Sequence, residues 1–116
     1  MKRIFSSLLV VGAILGVATV AARAHPSVDV VASNWKFTPN VVELHVGQTT
    51  TLRLTSSEGV HGLQSSELNI PQTVIEPGTF KAVEVTPKKP GKYVLHCSVM
   101  CGAGHPNMTL TVNVIQ

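Results

Sequence analysis

The amino-acid sequence predicts an all-β protein, an antiparallel sandwich of seven or eight strands preceded by an N-terminal apolar targeting segment. Short stretches alternate apolar and polar residues, and glycine- or proline-containing turns separate them at regular spacing. No stretch after the N-terminal segment shows the period of an amphipathic helix. The strands are expected at residues 29–35, 41–46, 49–56, 60–64, 73–75, 79–86, 92–96 and 109–115.

The first half of the chain carries the clearest alternation. In the strand at 41–46, the apolar residues Val42, Leu44 and Val46 share one face, and Glu43 and His45 share the other. The turn at Gly47-Gln48 leads into the strand at 49–56, in which leucines occupy one face and polar residues the other. The inward residues of that strand are Leu52 and Leu54, and the outward ones are Thr51, Arg53 and Thr55.

The second half contains shorter and less regular strands. A brief strand at 60–64 is followed by a loop to Pro71, and residues 73–75 are expected to form a short edge strand that ends at Pro77-Gly78. The strand at 79–86 alternates less cleanly, and the turn at 87–91 precedes the strand at 92–96. The last strand returns to a regular alternation, with inward-facing Leu110, Val112 and Val114.

The N-terminus has the pattern of an export signal. Lys2 and Arg3 precede an apolar run at 4–22, and Ala22-Arg23-Ala24 matches a small-residue cleavage motif. We therefore expect a signal peptide at 1–24, a single domain at 25–116, and a periplasmic or otherwise exported protein. A retained membrane anchor facing the periplasm is the alternative, since the apolar run approaches the length of a spanning helix.

The formal net charge of +3 belongs to this N-terminal segment. Without Lys2, Arg3 and Arg23, the basic and acidic residues of the domain balance, so we expect no binding to nucleic acid. Lys88, Lys89 and Lys92 cluster at one turn, where a solvated hairpin end is the simplest interpretation.

The loop at 97–108 contains most of the candidate metal ligands. Cys97, Cys101, His105 and Met108 fall within twelve residues at C-x3-C-x3-H-x2-M spacing. Thiolate and thioether are soft donors that suit Cu(I), imidazole also binds copper well, and the loop has no carboxylate to favour calcium, magnesium or manganese. This pattern predicts a copper site.

Two cysteines indicate two copper ions. A mononuclear blue-copper site uses one cysteine, two histidines and a weak axial methionine, so a second cysteine is surplus unless the thiolates bridge two metals. The loop provides only one histidine, and the best candidate for another is His61, which lies in a short apolar stretch after the strand at 49–56.

Together these motifs define a resemblance. The stretch Val60-His61-Gly62-Leu63 and the loop at 97–108 resemble the dinuclear CuA domain of subunit II of haem-copper cytochrome oxidases, a pattern that also occurs in nitrous oxide reductases. The resemblance covers roughly residues 29–115 and includes Trp35-Lys36-Phe37, Pro39 and the turn at 89–93. It implies a cupredoxin-like Greek-key sandwich with copper bound at one end.

The resemblance also implies a role for each ligand. Cys97 and Cys101 would bridge two coppers, and His61 and His105 would each bind one of them. Met108 would be a weak axial ligand, and the main-chain carbonyl of Val99 would fill the remaining position. The family more often has Glu or Gln at that position, but a main-chain oxygen does not depend on the side chain.

Simpler interpretations compete at most of these positions. Cys97 and Cys101 could form a disulfide in an oxidising compartment, Met108 could be a core residue, and His61 could be a buried imidazole without a metal. His45 and His96 are expected at the surface. Two further residues have open roles: His25, which would become the N-terminus after cleavage, and Trp35, which is either a packing residue or an entry point for electrons.

The resulting functional hypothesis is a dinuclear copper electron-transfer protein that passes single electrons from a small redox donor, such as a cytochrome c or a cupredoxin, to an acceptor. A copper-binding protein that delivers copper during oxidase assembly is the alternative, and a terminal oxidase or its assembly factors would then be partners. We expect no catalysis by the chain alone, because the implied coordination leaves no open position for a substrate.

Overall fold

A computed structural model describes residues 24–116, together with Gly12 and Gly16. The described residues form nine strands and one short 3-10 turn. The strands are β1 (Ser27–Ser33), β2 (Lys36–Thr38), β3 (Val41–His45), β4 (Thr50–Ser56), β5 (His61–Ser65), β6 (Ile70–Ile75), β7 (Lys81–Val85), β8 (Gly91–His96) and β9 (Thr109–Ile115), and the turn is His105–Asn107.

These strands form three sheets. One has the order β2-β1-β4-β7, a second has the order β3-β9-β8, and β5 and β6 form a two-stranded sheet. The all-β sandwich predicted from the sequence is confirmed. It is not purely antiparallel, because β1 pairs in parallel with β4 and β3 pairs in parallel with β9.

All eight predicted strands are present, and β2 is an addition. This three-residue strand pairs with β1, in the register Val31↔Thr38 to Ser33↔Lys36. It escapes detection because three residues are too few to show a period. The edge strand expected at 73–75 is longer in the structure and begins at Ile70.

The core lies between the two larger sheets and follows the predicted alternation. Leu52 and Leu54 of β4 are fully buried, as are Leu110 and Val112 of β9. On β3, Val42 and Leu44 face inward, whereas Glu43 and His45 are exposed. The inner faces of both sheets therefore bury the residues that drive folding.

The predicted signal peptide lies outside the described residues, apart from Gly12, Gly16 and Ala24. Within the part of the chain that the structure describes, no helix is both long and apolar enough to span a bilayer.

Two hydrogen bonds determine where the loop at 97–108 lies. The Cys97 N–H donates to the Met108 carbonyl over 3.0 Å and continues the β8–β9 pairing to the base of the loop. The Ser98 N–H donates to the Gly62 carbonyl over 3.1 Å and attaches the loop to β5. The predicted copper loop and His61, the first residue of β5, therefore meet at one end of the sandwich.

Candidate metal centre

The loop at 97–108 and the start of β5 bring together the five side chains and the one main-chain carbonyl that were predicted as copper ligands. They fall into two groups. Cys97, His61 and the Val99 carbonyl form the first group, which we call the Cys97 half. Cys101, His105 and Met108 form the second group, which we call the Cys101 half.

The Cys97 half is buried. The Cys97 Sγ lies 4.0 Å from the His61 Nδ1, and its thiol donates to the Val99 carbonyl oxygen over 3.2 Å. His61 is 0% exposed and Cys97 is 3% exposed. The buried Cys97 sulfur thus has an imidazole nitrogen and a main-chain oxygen as neighbours.

The Cys101 half is built by the loop itself. The Cys101 Sγ lies 3.4 Å from the His105 Nδ1 and 3.7 Å from the Met108 Sδ. His105 begins the 3-10 turn, and Met108 follows it directly and is fully buried. Cys101 and His105 are only half-buried, so this half lies closer to the surface.

The two halves adjoin. The ligand atoms of His61, Cys97 and Cys101 all lie within 4.8 Å of one another, and the two cysteines are free rather than disulfide-bonded. A pair of thiols flanked by imidazole and thioether groups is a donor set that suits copper, and it offers no hard oxygen ligand other than a main-chain carbonyl. The residues therefore fit the metal that the sequence predicted.

Contacts on its outer side orient the His61 ring. The His61 Nε2 lies 2.8 Å from the Glu58 carbonyl oxygen, so this nitrogen carries the proton and donates it. The Nδ1 lone pair then faces Cys97, as a metal ligand requires. The buried Ser56 hydroxyl also lies 2.9 Å from the Glu58 carbonyl oxygen and 2.6 Å from that of Gly59, which fixes the backbone that holds His61.

Glu58 has a second contact through its side chain. Its carboxylate accepts a hydrogen bond from the Asn34 N–H over 3.0 Å, which ties the segment before His61 to the turn between β1 and β2. Sequence reasoning missed Ser56, Glu58 and Asn34. Two of the contacts to Glu58 involve its main-chain oxygen, and a residue's identity gives no signal for such a contact.

Gly62 allows the loop to approach β5 closely. A Cβ at this position would lie 2.6 Å from both the Ser98 Oγ and the Val99 Cγ2, and 3.3 Å from the Val99 main-chain nitrogen. Any larger residue would push the loop, and with it the Val99 carbonyl, away from His61. The glycine beside His61 is therefore required by the packing of the Cys97 half.

Trp35 covers the other side of the loop. Its indole N–H donates to the Cys101 carbonyl over 2.8 Å, and a Cβ on Gly104 would lie only 2.5 Å from the Trp35 Cγ. Gly102 is similarly close and has a positive φ of 121°, which favours glycine. Trp35 remains 40% exposed, so one ring contacts both the solvent and the Cys101 half.

The Cys101 thiol holds its proton strongly. Its burial, assisted by the hydrogen bond with Cys97 and by the charge on Cys97, raises the pKa of this thiol from 9.0 to about 11. At neutral pH the metal-free chain therefore keeps Cys101 protonated. Copper binding must displace this proton, since the thiolate is the ligand.

The remaining histidines are not part of the cluster. His25, His45 and His96 are exposed, which agrees with the surface positions expected for the latter two. Within residues 24–116, the cluster of His61, Cys97 and Cys101 is the only group of at least three histidine, cysteine or acidic side chains close enough to hold a metal ion.

A family model described as a cupredoxin-like domain matches residues 6–112. Among curated proteins, cytochrome c oxidase subunit 2 of Thermus thermophilus is 35% identical over 88 residues, which cover 76% of this chain and 64% of that protein. The chain thus spans less than two thirds of the length of this relative.

Solved structures show the same fold. A haem-copper terminal oxidase dimer contains a chain that is 26% identical, with a TM-score of 0.68, over 78% of this chain and 65% of that one. The periplasmic domain of subunit II of cytochrome oxidase from Bradyrhizobium japonicum has a TM-score of 0.72 over 82% of this chain and 87% of that one, at 15% identity. At that identity, the second likeness shows the fold alone.

Proposed function

This chain belongs to the family of cupredoxin-like domains, and from that premise we propose that it binds two copper ions in a CuA-type centre and transfers single electrons. The observation that carries the proposal is the cluster of His61, Cys97 and Cys101 at the end of the sandwich. The similarity to oxidase subunit 2 of Thermus thermophilus supports it.

The proposed ligands are the six that the sequence nominated. Cys97 and Cys101 would bridge the metals, His61 and His105 would bind one copper each, and Met108 and the Val99 carbonyl would be the weaker ligands. The distances support this set, because each cysteine already has one imidazole and one further donor as neighbours. When bound, the copper pair would supply one-electron redox chemistry.

The protein's own contribution would be to keep these ligands in place when the charge of the centre changes. The Glu58 carbonyl holds the His61 ring, the Ser98–Gly62 hydrogen bond holds the loop against β5, and the Cys97–Met108 hydrogen bond closes its base. Ligands held in this way move little, and the burial of Cys97 and Met108 keeps water from two of the three sulfur atoms.

Burial favours electron transfer over copper delivery. A protein that hands over copper needs ligands that a partner can reach, whereas His61, Cys97 and Met108 are at most 3% exposed. The half-buried His105 and the exposed edge of Trp35 offer a path for an electron but not for an ion.

We further propose that the protein is exported and that residues 1–24 are a signal peptide. The donor would be a small redox protein such as a cytochrome c or another cupredoxin, and the acceptor a terminal oxidase or another oxidoreductase. The chain would then act as an electron-entry component rather than as an enzyme by itself. The intact mass of the exported protein distinguishes a cleaved signal from a retained anchor.

The experiment that tests the copper centre is metal analysis combined with electron paramagnetic resonance of the copper-loaded chain. We expect two copper ions per chain and a spectrum split by two equivalent copper nuclei. Cys101→Ser should bind one copper and show splitting by a single nucleus. A wild-type spectrum from one nucleus would exclude the dinuclear centre, and a Cys101→Ser spectrum identical to wild type would exclude bridging by that thiolate.

Electron exchange tests the function separately. A reduced cytochrome c should pass electrons to the oxidised, copper-loaded chain much faster than the chain passes copper to a metal-free acceptor protein. The opposite order of rates would favour the copper-delivery alternative.

A further inference from the structure

Strand β8 has one main-chain edge that β9 does not occupy. The register pairs Val94 with Thr111 and His96 with Thr109, and the Cys97 N–H bonds to the Met108 carbonyl. In an antiparallel pair, residues alternate between those that exchange hydrogen bonds with the partner strand and those that do not. The N–H and C=O groups of Lys92, Val94 and His96 therefore point away from β9.

A groove lies along this edge. At the metal end, β5 meets the chain just after β8 through the Ser98–Gly62 hydrogen bond. Within residues 24–116, no other hydrogen bond between main-chain atoms joins β8 to β5. The two strands diverge from there and leave an open cavity of about 320 Å³, lined by residues 64–67 on one side and 94–98 on the other.

The groove continues toward the turn before β8. A second cavity of about 250 Å³ is lined by Glu67, Lys88, Lys89 and Tyr93 and shares Glu67 with the first. The two cavities thus adjoin at Glu67 and together border residues 93–98, and we use the word groove for the two together. The cavities are open to solvent, and so are the main-chain groups that point away from β9.

The groove is positively charged at this second end. Lys88 and Lys89 line it, the exposed Lys92 lies beside it on β8, and Glu67 is its acidic lining residue. Within residues 24–116, none of the three lysines forms a salt bridge. An acidic partner would find three cations here that are not paired in a salt bridge among the described residues.

We propose that this groove binds an extended acidic peptide segment of a partner protein, which pairs with the free edge of β8 as an added strand. Main-chain groups of Lys92, Val94 and His96 would provide the pairing, and the lysines would select for acidic side chains. This inference goes beyond the proposed electron transfer and does not depend on it.

The shape of the groove favours a single strand over a second copy of the chain. The wall at 64–67 would obstruct a whole sheet that approached β8 edge to edge, and a second copy would also bring its own lysines toward these three. A lone extended segment needs the width of only one strand beside β8, and the Ser98–Gly62 hydrogen bond ends the groove at the metal end.

The probe is a capped heptapeptide that alternates glutamate and valine, added to the reduced, copper-loaded chain and followed by nuclear magnetic resonance. The Val94 and His96 amides should exchange rapidly in the free chain and become protected when the peptide is bound. A peptide that alternates lysine and valine should bind at least tenfold more weakly. A glutamate–valine peptide N-methylated on the edge that faces β8 should lose binding, since it lacks the donors that pair with the strand.

A pair of variants tests the same contact from the protein. Val94→Pro removes an outward N–H without taking a hydrogen bond from β9, whereas Val94→Ala keeps that N–H. We expect Val94→Pro to bind the peptide about tenfold more weakly than Val94→Ala does, the loss that one hydrogen bond can cause.

Several outcomes would overturn the proposal. Protection of the Val94 and His96 amides before any peptide is added would show that the edge is already closed, and protection that grows with protein concentration would assign the groove to a second copy. Equal binding of the acidic and basic peptides, or of the N-methylated and unmodified peptides, would equally refute it. The copper spectrum reports the metal site independently, so failure here is distinguishable from failure of the proposed function.

Discussion

The two halves of the candidate copper centre differ in how the protein holds them. In the Cys97 half, His61 begins a core strand and is fully buried, and its ring is fixed by the Glu58 carbonyl. In the Cys101 half, the cysteine lies in a loop where Met100 is 80% exposed, and the principal contact from outside the loop is Trp35.

This difference separates stability from metal binding. Residues of the Cys97 half serve both the hydrophobic core and the metal site, so changing them should destabilise the fold and weaken copper binding together. Cys101 and His105 are half-buried and supported mainly by their own loop, so changing them should alter the metal site while most of the fold remains stable. Met108 is the exception in this half, because it is fully buried in the core. Variants of the two halves, measured under the same conditions, test this separation.

The largest effect is expected from Gly62→Ala. The added methyl group meets Val99 and Ser98 at 2.6 Å, so we expect a loss of about 1–3 kcal/mol in the free energy of unfolding, together with weaker copper binding. Gly104→Ala is the matched variant in the other half: its methyl group would meet the root of the Trp35 side chain, with the Cγ at 2.5 Å and the Cβ at 2.7 Å, so the loop itself must shift. Because that loop is largely exposed, we expect copper binding to weaken more than the free energy of unfolding falls. Denaturant titration and copper titration measure both quantities. A larger loss of stability for Gly104→Ala would contradict the comparison.

Met108→Leu should separate the stability of the fold from the properties of the metal site most clearly. Leucine conserves most of the buried volume, so the loss of stability should stay below about 1.5 kcal/mol. The thioether is removed, so the reduction potential of the copper-loaded chain should shift, because axial ligands tune it. Voltammetry measures the shift. Met100→Leu is the control, since that side chain is exposed, and a similar shift there would argue against ligation by Met108.

A smaller effect is expected from Trp35→Phe. The variant keeps an aromatic ring but loses the hydrogen bond to the Cys101 carbonyl, which is worth about 1 kcal/mol at most at this half-exposed position. Thermal unfolding should change little, whereas copper should dissociate faster from a less restrained loop. Unchanged dissociation would show that Trp35 does not support the Cys101 half.

The smallest effect is the pH dependence of the metal-free, reduced chain. The pKa of Cys101 is raised from 9.0 to about 11, so the folded state keeps this proton at a pH where the unfolded state has lost it. The stability that this group contributes is fully present below pH 9 and is lost as the pH rises toward 11. The free energy of unfolding, measured by denaturant titration on both sides of pH 9, should fall more steeply with rising pH for wild type than for Cys101→Ser. Parallel declines would rule out this role.

The sequence was most informative where chemistry depends on the side chain. Five of the six proposed ligands act through their side chains and were predicted from residue type, spacing and family resemblance, whereas the Val99 carbonyl came from the resemblance alone; the structure brings all six together. It was least informative where main-chain atoms act. The contacts of the Glu58 carbonyl and the free edge of β8 depend on which way the backbone faces, and no residue type encodes that.

Sheet topology shows the same limit. Alternation placed eight strands correctly but contained no information on which strands are neighbours, so the parallel β1–β4 and β3–β9 pairs were not predicted. Strand β2 was missed because three residues show no period, and the contact of the neighbouring Trp35 indole with the copper loop depends on the tertiary structure.

Trp35 is the only tryptophan of the chain, and its ring contacts the loop that would enclose the metal. Its fluorescence is therefore a built-in optical reporter of this one end of the molecule. Emission at long wavelength would indicate that the ring has moved away from Gly104 into water. Quenching on addition of copper would indicate that the loop at 97–108 has bound the metal close to the ring. Loading and unloading of the centre can thus be followed in real time without attaching a dye.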